Sequence, residues 1–471
     1  MKNPAPTLVL AACLCGPGCV GSYRSPRDMP NPAEAFPVPH PDTVASETAI
    51  WRTHFTDAAL QRLVSDALAH NVDLRVAVQR VEAARAQLAA ARGSVLPAVE
   101  ATAGASLSRF GLYTMDGAGN VGVLVHQNEL LPRNVPNFDV GFQASWELDL
   151  WGKLRNRKAA AAARVLASDA GRRGVLTGIV TALGALYYEL LAADSTLAVL
   201  DETLRLRGDA LDAVRLQRAA GVTTALAVEQ FEAELERLRA LRLDQQQGIV
   251  ETEAAIRMLV GDPQYRVERD SQNLISVPIP DLSRAVPVDL LAHRPDVREA
   301  ELELAAASAD VQAVRAAFFP SVNLTGALGL AAFRADLLPS AQSIAYSLAG
   351  GLVAPVINRS AIQAEFRQAG AAELETLARY LQSVVNASVE VHAHQTRLDL
   401  LAALRETKAR ENEILHKSVA TSNDLFASRR ATYLEVLSVR QAALDSQLAL
   451  IEIARRQFQL EIALYRAIGG G

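Results

Sequence analysis

Val140-Gly-Phe-Gln-Ala-Ser-Trp-Glu-Leu-Asp149 is the stretch on which the reading of this chain turns. Val140, Phe142, Ala144, Trp146 and Leu148 alternate with Gly141, Gln143, Ser145, Glu147 and Asp149. An extended backbone therefore sends apolar groups to one face and small or polar groups to the other. The same period runs through Val99, Ala101, Ala103, Ala105 and Leu107, just after Pro97. It returns in Val322, Leu324, Gly326, Leu328 and Leu330, and again in Tyr346, Leu348, Gly350, Leu352 and Ala354. These segments predict four strands in two hairpins, at about 98–150 and 321–356. Each has about ten residues, the length of a tilted strand crossing a bilayer. A soluble two-faced sheet uses the same pattern. Charge separates the two readings, because the strand middles are nearly charge-free, with Glu100, Glu147 and Asp149 near the ends.

Helical periodicity fills most of the rest. Apolar residues recur every three or four positions from Asp57 to Pro97, from about Lys158 to Ala220, and from Ala225 to Val260. They do so again over Val288–Phe319, Ile362–Ser428 and Tyr433–Ile468. Helices of ~60 residues rise roughly 90 Å, more than a compact globule holds. A shift of 223 residues lays Leu68-Ala69-His70 on Leu291-Ala292-His293 and Pro97 on Pro320. A shift of 208 lays Thr224 on Thr432, Val228 on Val436 and Gly261 on Gly469. The chain is thus two repeats, 57–260 and 288–471, joined by a Pro-rich linker or equatorial segment at 261–287.

Composition sets the class. In 471 residues, 47 basic against 52 acidic side chains leave no cationic excess for nucleic acid. No uninterrupted apolar run reaches the length of a spanning helix, and the best stretch, Gly178–Ala193, carries Glu189. This excludes a polytopic helical transporter. A membrane sheet must close, since open edges are not tolerated in lipid. Four strands are too few to close alone, so several copies must each contribute, and three would give twelve strands. The connections Arg109–Asn137 and Phe333–Ser343 would then face outside the cell.

The chain's three cysteines, Cys13, Cys15 and Cys19, all lie near its start. Lys2 followed by Thr7–Cys15 reads as a signal peptide. A lipoprotein signal is cut just before a cysteine that becomes acylated. Cleavage before Cys19 leaves a hydrophobic segment of normal length, and Cys13, with the better small-residue pattern, is the runner-up. An ordinary cleaved signal is the alternative. Residues 1–18 are thus assigned to the signal and 19–56 to a Pro-rich tether. No catalytic, cofactor-binding or metal-binding pattern is present: His392 and His394 lie two apart on a helix and face different ways. His70 and His293 are repeat-related, which suggests packing.

Several segments resemble one family. They are Trp146-Glu-Leu-Asp-Leu-Trp-Gly-Lys-Leu-Arg155, Leu291-Ala-His-Arg-Pro-Asp-Val297 and Ala316-Ala-Phe-Phe-Pro-Ser-Val-Asn-Leu-Thr325, with Tyr433-Leu-Glu-Val-Leu437 and Ala463-Leu-Tyr-Arg-Ala-Ile-Gly-Gly-Gly471. In order along the chain they are similar to the motifs of TolC-like outer-membrane efflux proteins, in the lipoprotein branch that serves resistance-nodulation-division (RND) pumps. Cys19-Val-Gly-Ser-Tyr-Arg-Ser-Pro26 also resembles the mature start of members. The resemblance implies a fold that is mainly α with membrane β: a homotrimer with a twelve-stranded barrel in the outer membrane and long antiparallel helices forming a periplasmic α-barrel. It implies an exit duct for small molecules, without catalysis or cofactor, anchored in outer-membrane lipid. The partners would be a periplasmic adaptor (membrane fusion) protein and an inner-membrane, proton-driven RND-type transporter. A type I secretion channel shares this fold, and a lipid-tethered helical scaffold without a pore is the alternative from another class.

By the same resemblance, Leu434 would narrow the periplasmic end as an apolar ring, with Glu435 and Ser438 beside it. Relatives often carry an acidic residue at the first of those two positions and Asp at the second. Glu435 pointing to solvent on an amphipathic helix is the competing reading. The adaptor would dock at the helix tips, Gly221-Val222-Thr223-Thr224 and Arg429-Arg430-Ala431-Thr432, the second lacking the glycine. Arg294-Pro295-Asp296 reads as structural, with Asp296 near a helix start. Trp146 and Trp151 suit either the membrane boundary or packing between hairpin and helix.

Overall fold

The computed structural model describes residues 51–52, 55–125, 130–269, 274–277, 294–355, 360–428 and 430–470. Cys13, Cys19, His293, Arg429, most of the expected tether and much of the linker lie outside them. The first repeat runs α1 (Ala58–His70), α2 (Val72–Gly93), β1 (Ala98–Ser108), a short α3 (Met115–Gly119), β2 (Val135–Leu148), α4 (Lys153–Ala219) and α5 (Ala225–Val260). The second runs α6 (Pro295–Ala316), β3 (Ser321–Ala332), β4 (Ile344–Val353), α7 (Ser360–Ala427) and α8 (Tyr433–Ala467). With 67 and 68 residues, α4 and α7 each rise roughly 100 Å.

The first helical pattern is broken where periodicity gave one run. Asn71 takes an extended backbone between α1 and α2, its Oδ1 accepts the Leu74 amide at 2.9 Å, and its Nδ2 donates to the Leu259 carbonyl at 2.7 Å. A 223-residue shift from Asn71 falls on Arg294, and 208 from Leu259 falls on Ala467. There Arg294, in the same backbone conformation, donates from Nη1 to the Ala467 carbonyl at 2.9 Å. Both repeats therefore clasp the start of one helix to the end of another through one buried polar side chain. The helix terminus each clasp holds is followed by a left-handed glycine, Gly261 (φ 79°) or Gly469 (φ 109°), where only glycine is unstrained. Two further observations are local. The helix α2 stops at Gly93, four residues before Pro97, and the His70 ring is exposed, with Nδ1 against its own helix's Asp66 carbonyl at 2.8 Å.

The main core lies midway along the molecule. Leu60, Leu63 and Val64 of α1, Leu183, Tyr187 and Leu190 of α4, Ile256 of α5 and Ile451, Phe458 and Ile462 of α8 form it. Trp51 and Phe55, at the end of the expected tether, are core residues too. By composition alone, α4 does contain a stretch long and apolar enough to span a bilayer, but 67% of it is buried in the protein. The described linker straps this belt. Arg269 pairs with Asp194 of α4 and Glu253 of α5, the Leu274 amide donates to Ser195 Oγ, and Arg405 of α7 donates to the Ile275 carbonyl.

The strands make one antiparallel sheet in the order β1-β2-β3-β4, so the two repeats join edge to edge through β2 and β3. Among the described residues, the outer edges of β1 and β4 have no strand partner.

Candidate functional site

Register sorts the sheet into two walls. Val99 faces Ala144, Ala101 faces Phe142, and Ala103 faces Val140. Those lie opposite Gly326, Leu328 and Leu330. The last three oppose Leu348, Tyr346 and Ile344 in turn. Directly opposed residues share a face, so one wall is apolar across all four strands. It is also bare: Phe142, Leu328, Tyr346 and Leu348 are exposed, an arrangement that suits lipid and not water. The other wall carries Glu100, Thr102, Ser106, Asp139, Gln143, Ser145, Glu147, Asn323, Thr325 and Ser347, with glycine and alanine between.

The polar wall is the crowded one at the seam. Gly141 opposes Gly329, and a Cβ on either would come within 2.4–2.6 Å of the facing backbone. On the apolar wall, a Cβ on Gly326 or Gly350 meets nothing closer than 3.4–3.6 Å. The two repeats' backbones thus approach closely on the polar wall at this seam, and glycine on both strands is what allows it.

Sheet and helices are riveted together by the Trp146–Arg155 segment. Asp149 accepts the Leu154 and Arg155 amides at 2.9 Å each, covering the start of α4, and also receives Arg155 Nε at 3.2 Å. Burial works to raise the Asp149 pKa, but those hydrogen bonds outweigh it and hold the group below its ordinary value. Gly152 (φ 80°) makes the turn, and Lys153 pairs with Glu147 at 2.9 Å. Trp146 Nε1 donates to the Val95 carbonyl at 3.0 Å, and Trp151 Nε1 to Pro320 at 2.7 Å while stacking on Phe319. Both tryptophans thus fasten the hairpins to their flanking helices.

The far helix tips carry the other expected residues. Between α4 and α5, Gly221 (φ 73°) donates to the Arg218 carbonyl and Val222 to Gln217, each at 2.9 Å, and Thr224 caps α5. Between α7 and α8 the repeat-equivalent bond runs from the Arg430 amide to the Leu425 carbonyl at 2.8 Å. Thr432 and Glu435 then form a reciprocal capping box: the Glu435 carboxylate accepts the Thr432 amide at 2.6 Å, and Thr432 Oγ1 accepts the Glu435 amide. The Thr432 amide, and after it the Thr432 hydroxyl donating to the same carboxylate oxygen at 2.9 Å, hold the Glu435 pKa down. Sequence reasoning weighed a gate residue against a solvated one and missed this box, although Thr-x-x-Glu at a helix start is its signature. Leu434 is 53% exposed, and Ser438, one turn on, is exposed on the same side. Next to them, the Tyr433 hydroxyl donates to Gln230 Oε1 and its ring packs near Phe231, tying α8 to α5.

Higher in the bundle, Arg207 of α4 is 4% exposed, and its Nη1 has no hydrogen-bond partner. Burial, followed by the nearby Arg440, lowers its pKa. No sequence signal marks this residue, since one arginine per helical turn is ordinary on a solvated face. Among the described residues, no group of three or more His, Cys, Asp or Glu side chains is placed to hold a metal ion.

A long helical body carrying a four-stranded sheet with one apolar and one polar wall is the architecture of an outer-membrane channel protomer. Residues 63–262 and 286–470 match the family described as outer membrane efflux protein, and the chain belongs to that family. It is 28% identical over 431 residues to the probable outer membrane lipoprotein SilC of Salmonella typhimurium, covering 89% of this chain and 88% of that protein. It is also 28% identical to the pyoverdine export outer membrane protein OpmQ of Pseudomonas aeruginosa, covering 100% and 97%. Among solved structures, that of CusC superposes with a TM-score of 0.80 at 26% identity, covering 96% of this chain and 99% of that one. The protein is therefore an outer-membrane efflux channel with a large periplasmic helical part, and not an enzyme.

Proposed function

We propose that three copies close into a twelve-stranded barrel above a periplasmic α-barrel, forming the passive exit duct of a tripartite pump. The observation that carries this reading is the sheet: one unbroken apolar wall, a polar inner wall, and two unpaired edges that in lipid must meet strands of other copies. An RND-type transporter in the inner membrane would supply the energy, and an adaptor would dock on Gly221–Thr224 and Arg430–Thr432, with Arg429 beside them. Acylation at Cys19, with Cys13 second, would anchor the chain. The cargo is small molecules chosen upstream, in keeping with relatives named for pyoverdine export and for cation efflux.

At the periplasmic end, Leu434 forms the constriction with Ser438 on the same face, and Glu435 holds the turn that presents them. Purified in detergent, the protein should be trimeric and conduct ions in a planar bilayer, and Leu434→Ala should raise that conductance. A monomer that does not conduct would overturn the duct. Unchanged conductance in the variant would remove Leu434 from the gate.

A further inference from the structure

We propose that the duct's charge selectivity is set inside the β-barrel, by Glu100 and Asp139, so that cations and cationic small molecules are favoured there. The inference rests on the duct reading above. The register puts Glu100 and Asp139 on the polar wall, across from Gln143 and Gly104. The third carboxylate on that wall, Glu147, is held by Lys153 at 2.9 Å. No Lys or Arg lies within any of the four strands. Asp139 receives only a 3.3 Å bond from Asn137, and no cation pairs with it or with Glu100 among the described residues. A Cβ on Gly104 would come 2.7 Å from Asp139 Oδ1, so glycine leaves room for the carboxylate to lie across the wall.

Three copies would thus bring two uncompensated carboxylates each into a narrow passage whose outer wall is apolar and sits in lipid. Low-dielectric walls focus a field of one sign, and rings of carboxylates select cations. On the described loops that flank the strands the charges are Arg109, Asp116 and Arg133, Arg334 paired to Asp336, and Asp149 paired to Arg155, all beyond the strand ends. At the periplasmic tip, by contrast, Glu435 is turned back on its own helix start and fully open to water, and Ser438 is neutral.

The test is the reversal potential of the full-length protein in a planar bilayer under a KCl gradient. The native channel should prefer K⁺ over Cl⁻, and Glu100→Gln with Asp139→Asn should cut that preference at least about threefold. Glu435→Gln should leave it nearly unchanged. A conducting channel whose selectivity survives the double variant, or shifts more with Glu435→Gln, overturns this inference and spares the duct. A native protein that does not conduct overturns both. Thr102→Cys, on the same wall between the two carboxylates, gives a readout that needs no current. A cationic thiosulfonate should modify it several-fold faster than an anionic one, and the double variant should abolish the difference. Equal rates in the native background would also overturn the inference.

Discussion

The two repeats solve the same structural problems with different residues. Where the first clasps its helices with neutral Asn71, the second uses Arg294, only 5% exposed and also bonded to Asp296 and Glu390. Where the first turns its tip on Gly221, the second has no glycine and adds the Thr432–Glu435 box. Where the first buries Arg207, the repeat-equivalent position in the second is Leu415. The difference teaches that backbone geometry is what the repeat preserves. A carbonyl at a helix end needs a donor, and an amide or a guanidinium serves equally.

The seam between the repeats gives the largest expected effect. Gly141→Val or Gly329→Val places a Cβ against the facing backbone and should abolish the assembled barrel, read as loss of the outer-membrane trimer on gels. Gly326→Val, on the roomier apolar wall, should assemble. If all three assembled alike, the close approach of the two backbones at the seam would not be what assembly requires.

The clasps come next. Arg294→Ala strands a buried carbonyl and removes the partner of two carboxylates, and should cost roughly 2–4 kcal/mol, against about 1–2 for Asn71→Ala. Thermal unfolding in detergent checks the order. Burial works to raise the Asp296 pKa, but Arg294 outweighs it and sets the group below its ordinary value of 3.8. Its stabilisation is therefore complete above that value and is lost as pH falls through the depressed one. The native protein should lose stability on acidification below about pH 4, and Arg294→Ala should lose less over the same range.

Making the first repeat more like the second should help. Arg207→Leu removes a buried guanidinium with an orphan N–H and should stabilise the protein by about 1–2 kcal/mol, again read by thermal unfolding. A lower melting temperature would mean that Arg207 supports the bundle in a way its contacts do not reveal. The smallest effects belong to the tips. Thr224→Ala should cost about 1 kcal/mol of helix capping and Thr432→Ala somewhat more, since it breaks a reciprocal pair. Amide exchange at the first turns of α5 and α8 should speed up accordingly.

Much of this was legible in the residues. Period-two alternation gave the four strands and their faces, because side chains on an extended backbone point to opposite sides in turn whatever surrounds them. The ungapped repeat and the 3–4 spacing gave Ala225–Val260, Ser360–Ala427 and Tyr433–Ala467 within two residues of their ends. They began α4 five residues late and placed the start of α6 at Val288, where the described helix begins at Pro295. Asn71 was not legible as a break, since Asn is tolerated within a helix and its partner Leu259 is 188 residues away.

The sequence by itself determined which residues form strands and helices, that they come in two copies, and that four strands cannot close alone, because local periodicity and chain length decide those. Only the tertiary structure decided how closely the two repeats approach at the β2–β3 seam, that Arg294 takes the place of Asn71, that Arg207 is buried, and that Glu100 and Asp139 share a wall without a cation among the described residues. Those depend on register and contacts between residues far apart in the chain, and a spacing pattern carries no term for them.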